Sequence, residues 1–160
     1  MRILIKGLYE AHLPVRNLQR SIEFYLKLNL EIAYQSDQLV FFWIEKGKSW
    51  IGLWETAQVN IPYHASIRHI ALTIDKDDMY QAKKWLEVRG IQVKTSFGFT
   101  SDNQPLVLPN NRQAHAAIYF DDPDGNSIEF ISPLRLDVEE EFKMMSLEDW
   151  DLRGKQISAD

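Results

Sequence analysis

The sequence predicts an α+β fold built from two copies of a β-α-β-β-β module, with a short helical tail. Three observations carry that prediction. A strand-like run, an amphipathic helix and three further strand-like runs occur in the same order twice, over about 5–61 and 66–133. Each helix sits between recognisable start and stop signals. The second copy ends on "DDPDGNSIEF", in which Pro and Gly make a tight turn before a strand.

The elements follow in order. "LYEAHLPV" (8–15) alternates like a half-buried strand. Asn17 is a candidate N-cap, and Leu18, Ile22, Tyr25, Leu26 and Leu28 form an apolar helical stripe over 17–30. "EIAYQ", "QLVFFWIEK" and "SWIGLWET" are strands divided by the turn residues "SD" and "KGK". "RHIALTID" (68–75) restarts the series, and "KDDMYQAKKWLEVRG" (76–90) is a helix with acidic residues in its first turn and Gly90 as stop signal. "IQVKT", "AHAAIYF" (114–120) and "NSIEFIS" (126–132) complete the second copy. Two such modules can pair into a cupped, half-open barrel of mixed sheet with the helices outside. The expectation is a single domain over 1–160, with a tail from 134 to 160 in which "DVEEEFKMM" and "SLEDW" form short helices, the second with a capping pattern from Ser146 to Asp149. The acidic run Glu139–Glu141 reads as a solvated face, and the last residues as disordered.

Composition narrows the function. A chain of 160 residues that is 45% hydrophobic can bury a substantial core. Its net charge of −5 and lack of a basic cluster argue against a nucleic-acid surface. With no cysteine there are no disulfides, thiolate metal sites or Cys nucleophile. No apolar run approaches the ~20 residues needed to span a membrane, and the N-terminus lacks a signal-peptide pattern. A soluble cytoplasmic protein is expected.

The repeat supplies a register. Val15 lies five residues after Glu10, and Ile74 five after His69, each just before a helix. Glu10 and His69 are therefore equivalent, and aligning "SWIGLW" with "NSIEFI" makes Gly52 the counterpart of Glu129. Within "YEAHLPV", Glu10 and His12 share one strand face, because side chains two apart point the same way. So do Trp50, Gly52 and Trp54, and His115, Ala117 and Tyr119. Glu55 has the opposite parity to Gly52.

"LPVRNLQRSIEFY", "RHIALTID" and above all "AIYFDDPDGNSIEF" resemble signatures of the vicinal oxygen chelate superfamily, over roughly residues 8–133. That superfamily includes glyoxalases, bleomycin-resistance proteins, fosfomycin-resistance thiol transferases and extradiol dioxygenases. The resemblance implies a U-shaped cup around one divalent metal, with ligands from the first and last strand of each module. Its ligand positions here are Glu10, Gly52, His69 and Glu129. Glu10 stands where relatives often have His or Gln, and its carboxylate suits Mn, Fe(II), Ni, Co, Mg or Zn. Three roles stay open for His12: ligand, hydrogen-bond partner of a ligand, or general base. Module equivalence favours Glu10 as the ligand, with His12 about 6–7 Å along the strand on the substrate side. A pocket without metal, where Glu10 and His12 bond to a ligand or to each other, is the alternative.

Gly52 departs from the glyoxalase pattern, in which a Glu completes the site and moves the substrate proton. Three protein ligands with open positions favour a substrate that chelates through two oxygens. That points to a lyase, thiol transferase or dioxygenase rather than a glyoxalase I isomerase. Trp50, Trp54, His115 and Tyr119 would line the cup as substrate contacts unless they fill it as core, and His12 and Tyr119 are the catalytic candidates. The polar segment over 97–113 has the length of a binding lid, but holds no lysine cluster of the kind that grips phosphonates. The leading expectation is a divalent-metal-dependent enzyme, acting on a small metabolite or electrophile and dimeric by resemblance. The alternative is a metal-free binding protein of the drug-resistance type, holding a flat aromatic molecule between its tryptophans.

Overall fold

Strand β1 (Glu10–Val15), helix α1 (Leu18–Lys27) and strands β2 (Glu31–Gln35), β3 (Leu39–Glu45) and β4 (Ser49–Glu55) make the first β-α-β-β-β series. Strand β5 (His69–Thr73), helix α2 (Lys76–Glu87) and strands β6 (Leu106–Asn110), β7 (Gln113–Asp121) and β8 (Ser127–Arg135) make the second. Strand β9 (Met145–Ser146) and helix α3 (Leu147–Ile157) follow. The computed structural model describes residues 7–60, 67–110, 113–135 and 142–157. The fold is α+β, with two mixed sheets, neither of which closes into a barrel. The chain forms two compact units: Met1–Arg68 with Asp122–Asn126, and His69–Asp121 with Ser127–Asp160.

In the first unit the sheet order is β1-β4-β3-β2, with β1 parallel to β4 and the other pairs antiparallel. Alternation along the strands buries Val15, Val40, Phe42 and Leu53 on one face. Helix α1 packs on β3 and β4. Asn17 caps it, accepting from the Arg20 amide at 2.8 Å. Leu18, Ile22 and Tyr25 are buried as expected, and Tyr25 stacks on Phe42 with ring centroids 5.7 Å apart. Leu26 is exposed, however, and Phe24 takes its place inside.

The turn at 122–126 is bound into this first unit. The Asp122 carboxylate accepts the amides of Asp124 and Asn126 on Oδ1, at 2.9 and 2.8 Å. Its Oδ2 accepts from Asn126 Nδ2 at 2.6 Å and from the Tyr25 hydroxyl at 3.1 Å. Asn126 Nδ2 also reaches the Pro14 carbonyl, Arg68 Nε donates to Asn126 Oδ1, and Arg20 pairs with Asp124. Burial pushes the Asp122 carboxyl up, against the hydrogen bonds that favour its charged form. Burial and the Asp122 charge push the Tyr25 phenol well up.

The second sheet runs β5-β8-β7-β6-β9, again with its first pair parallel. Here one expected strand is replaced. "IQVKT" contributes only an isolated bridge from Val93 to Phe120. A tight turn, closed by paired hydrogen bonds between Ser96 and Phe99, then lifts the chain off the sheet. The same edge of β7 is taken up by β6, which lies inside the segment expected to be a lid. The Gln104 side chain fills the gap, donating to the Lys94 carbonyl at 2.6 Å and accepting from the Tyr119 amide at 3.4 Å. Helix α2 buries Met79, Ala82 and Leu86, and Gly90 beyond it has a φ of +73°.

The tail extends this sheet. Met145 and Ser146 pair with Val107 and Leu106, so the stretch expected as a helix over 137–145 ends in strand instead. Residues 136–141, including Glu139–Glu141, lie outside the described residues, as do 158–160. Ser146 Oγ accepts from the Asp149 amide at 3.1 Å and starts α3. Among the described residues no helix is long and apolar enough to cross a membrane.

Candidate functional site

The parallel pairing of β5 with β8 sets His69 opposite Ser127 and Ala71 opposite Glu129. The antiparallel pairing of β7 with β8 sets Tyr119 opposite Glu129. His69, Glu129, Tyr119 and His115 thus gather on one face of the second sheet. His69 Nε2 lies 3.0 Å from Glu129 Oε2, and His69 Nδ1 lies 3.3 Å from Ser127 Oγ. His115 Nε2 stands 3.9 Å from Glu129 Oε1, beyond hydrogen-bond reach. Glu129 is only 5% exposed, and its Oε1 is buried without a hydrogen-bond partner. Burial, and then the Glu129 carboxylate beside it, push the Tyr119 phenol well up, so it holds its proton.

A buried carboxylate oxygen lacking a donor is costly unless something cationic meets it. His69 and Glu129 supply one imidazole nitrogen and one carboxylate oxygen, a donor pair suited to first-row divalent ions. Among the described residues no group of three or more His, Cys, Asp or Glu side chains stands at metal-binding spacing. The second unit therefore offers two convergent donors, with His115 held back from them. Ser127 Oγ beside His69 Nδ1 is placed to orient the ring.

In the first unit Glu10 pairs with Trp50 and His12 with Gly52 across β1 and β4. The offset matches the second unit: His69 and Glu10 each stand two residues before the level of Glu129 and Gly52. Trp50 Nε1 donates to Glu10 Oε2 at 2.8 Å, and Trp54 Nε1 donates to His12 Nδ1 at 2.9 Å. The Glu10 and His12 side chains converge to 3.6 Å, closer than the pleat spacing alone implies. Trp50 also stacks on Phe41, at 5.2 Å and 5°. Glu10 belongs to the first unit, and His69 and Glu129 to the second.

Residues 7–130 match the family model described as the Glyoxalase/Bleomycin resistance protein/Dioxygenase superfamily. The chain belongs to this superfamily. Among its relatives, Metallothiol transferase FosB of Staphylococcus epidermidis is 31% identical over 122 residues, 72% of this chain and 73% of that protein. Among solved structures, an integron cassette protein from the mobile metagenome of the Halifax Harbour sewage outfall has a TM-score of 0.59 and 26% identity, covering 80% of this chain and 99% of its own. The fosfomycin resistance protein FosX of Listeria monocytogenes matches with a TM-score of 0.58 and 22% identity, over 81% and 94% of the two chains. At that identity it speaks for the fold.

As a member of the superfamily, the chain departs from the glyoxalase pattern at Gly52, and the space there is taken. A Cβ on Gly52 would meet His12 Cε1 at 2.7 Å and Phe41 Cε1 at 2.9 Å. The His12 ring lies over the glycine, in the first-unit position matching the Glu129 side chain. Glu55 does not compensate, because its Oε2 accepts the Leu18 amide at 2.7 Å and so caps helix α1. Glu55→Gln should therefore cost about 0.5–1 kcal/mol of stability, a helix-terminus effect. Urea unfolding measures it, and the binding of small ligands should not change. Sequence reasoning passed over Ser127 and Lys94, whose ammonium donates to Ser127 Oγ at 3.1 Å and pairs with Asp121. It also passed over Phe97, which stands edge-on to Tyr119 at 5.6 Å. Strand parity puts Ser127 on the face of Glu129, two residues apart, but gives no sign of its contact with His69.

Proposed function

We propose that the chain is a divalent-metal-dependent enzyme acting on a small molecule that presents two oxygens, with thiol transfer to an electrophile as the leading reaction type. The observation that carries this reading is the buried Glu129 Oε1, which has no hydrogen-bond partner and lies on the carboxylate that meets His69. His69 and Glu129 would hold the ion in the second unit. Glu10 is the counterpart of His69 in the first unit by register. The likeness to FosB, whose name is that of a metallothiol transferase, supports both metal and reaction type. When bound, such an ion polarises the oxygens it coordinates.

The protein's own groups have definable parts. Tyr119 keeps its phenol proton beside the Glu129 carboxylate, whose charge it can meet as a donor. Ser127 orients His69. His12 shares the strand face of Glu10 and is the first unit's candidate for contact with the small molecule. A homodimer in the cytoplasm fits this reading. The test is metal content: protein prepared without chelators, or reconstituted with Mn, Fe(II), Ni or Zn, should carry close to one ion per chain. An empty site after reconstitution would retire the enzyme reading.

A second reading, a metal-free binding protein, is favoured by the aromatic face of the first sheet, where Trp54 is 44% exposed. Quenching of tryptophan fluorescence by a flat aromatic molecule, equal with and without chelator, would support it. Either way, little isomerase activity is expected on hemithioacetals of glutathione or bacillithiol, because Gly52 offers no carboxylate to move a proton. A turnover on the order of 1–10³ per second would show another base at work.

A further inference from the structure

Both indole nitrogens of the β4 tryptophans are committed within the first unit. An indole N–H only donates, so the His12 Nδ1 facing Trp54 Nε1 at 2.9 Å must present its lone pair. The ring proton then sits on Nε2. That atom lies 3.6 Å from Glu10 Oε1, outside hydrogen-bond range. Glu10 is itself held by Trp50 Nε1 on its other oxygen, at 2.8 Å. The His12 and Glu10 side chains are 38% and 47% exposed, so a small molecule can reach this gap. Glycine at position 52 leaves room for the arrangement, since a Cβ there would overlap the His12 ring and force it or Phe41 to shift.

We infer that Trp54 is a positioning residue: its indole N–H, with the space left by Gly52, fixes His12 with the proton on Nε2, so that His12 meets an incoming oxygen as a hydrogen-bond donor and not as a base. The assignment of Trp54 thereby changes from a stacking surface to a group that acts through its neighbour. It also explains why β4 carries glycine where β8 carries Glu129: the polar group at that level is delivered from the adjacent strand. The need for an incoming oxygen rests on the function proposed above, whereas the proton position does not.

The experiment is long-range ¹H–¹⁵N correlation NMR on the full chain in its metal-free form. His12 is assigned among the four histidines by loss of its signals in His12→Asn. The wild type should show a single form, with Nδ1 unprotonated and Nε2 protonated. Trp54→Phe keeps an aromatic ring but removes the donor, and should give a mixture of the two forms. Gly52→Ala crowds the ring and should do the same, which keeps the test open if Trp54→Phe does not fold. A wild-type ring protonated on Nδ1, a wild-type mixture, or either folded variant with an unchanged ring would overturn the inference. Because no metal is needed, absence of metal binding would remove the enzyme reading and leave this result standing.

Discussion

On the function proposed above, Glu129→Gln should abolish divalent-ion binding at a modest cost to the metal-free fold. Glu129 is 5% exposed, and one of its oxygens has no donor, so the metal-free protein carries an uncompensated acceptor in its interior. Gln has nearly the same shape but puts an amide donor where the unpartnered oxygen stood and weakens the contact with His69, so the metal-free fold should lose about 1–2 kcal/mol. The same change replaces a charged oxygen donor by a neutral amide. Loss of a group that merely orients a ligand costs about 10–100-fold in metal affinity, so loss of the ligand itself should exceed about 100-fold. His69→Ala should match it in affinity. Metal titration by calorimetry, with thermal melts of the metal-free forms, reads both quantities. Wild-type affinity in Glu129→Gln would make this carboxylate a core group and return the function to the binding-protein reading.

Asp122→Asn is the second large effect, and it acts on stability. The carboxylate accepts four hydrogen bonds: two from backbone amides, one from Asn126 Nδ2 and one from the Tyr25 hydroxyl. An asparagine can keep the backbone pair on its oxygen. Its amide then faces two donors, and a donor set against donors leaves buried groups unsatisfied at about 1–3 kcal/mol each. A loss of about 3 kcal/mol is expected, lowering the melting temperature by on the order of 10 °C in a chain of this size. Tyr25→Phe removes only one of these bonds and should cost about 1 kcal/mol. If Asp122→Asn melts with the wild type, the turn is not what ties this part of the first unit together.

The alternation of apolar residues and the repetition of β-α-β-β-β made the strands and helices legible, because burial on one sheet face imposes a period of two. The repeat also made the register legible. Glu10 with His69, and Gly52 with Glu129, keep the same offset from their parallel partners in both sheets. The parity argument for Glu55 set it on the face opposite to Gly52, and the structure has it capping α1. Strand β6 was hidden because "PLVLPNN" is flanked by turn-formers and carries prolines, while "IQVKT" looks more like a strand and holds only one bridge. The decision between them lies in the Ser96–Phe99 turn, a tertiary choice that local propensity does not encode. The His12 ring over Gly52 was hidden because two strands must be overlaid to see it. A mid-strand glycine is nonetheless a standing sign of close approach by a neighbour.

Translation order gives the turn at 122–126 a further meaning. Arg68 finds Asn126 only 58 residues later in the chain, and the Arg16 amide waits 108 residues for Asp124. At roughly 5–20 residues per second, the ribosome takes several seconds to deliver Asn126 after Arg68. Throughout that interval the first β-α-β-β-β copy exists without the carboxylate that Tyr25 donates to and without the acidic partner of Arg20. Gene fragments cut between the two copies would therefore yield an amino-terminal piece short of its own keystone. Supplying residues 122–126 in trans, as a peptide, should protect that piece from proteolysis.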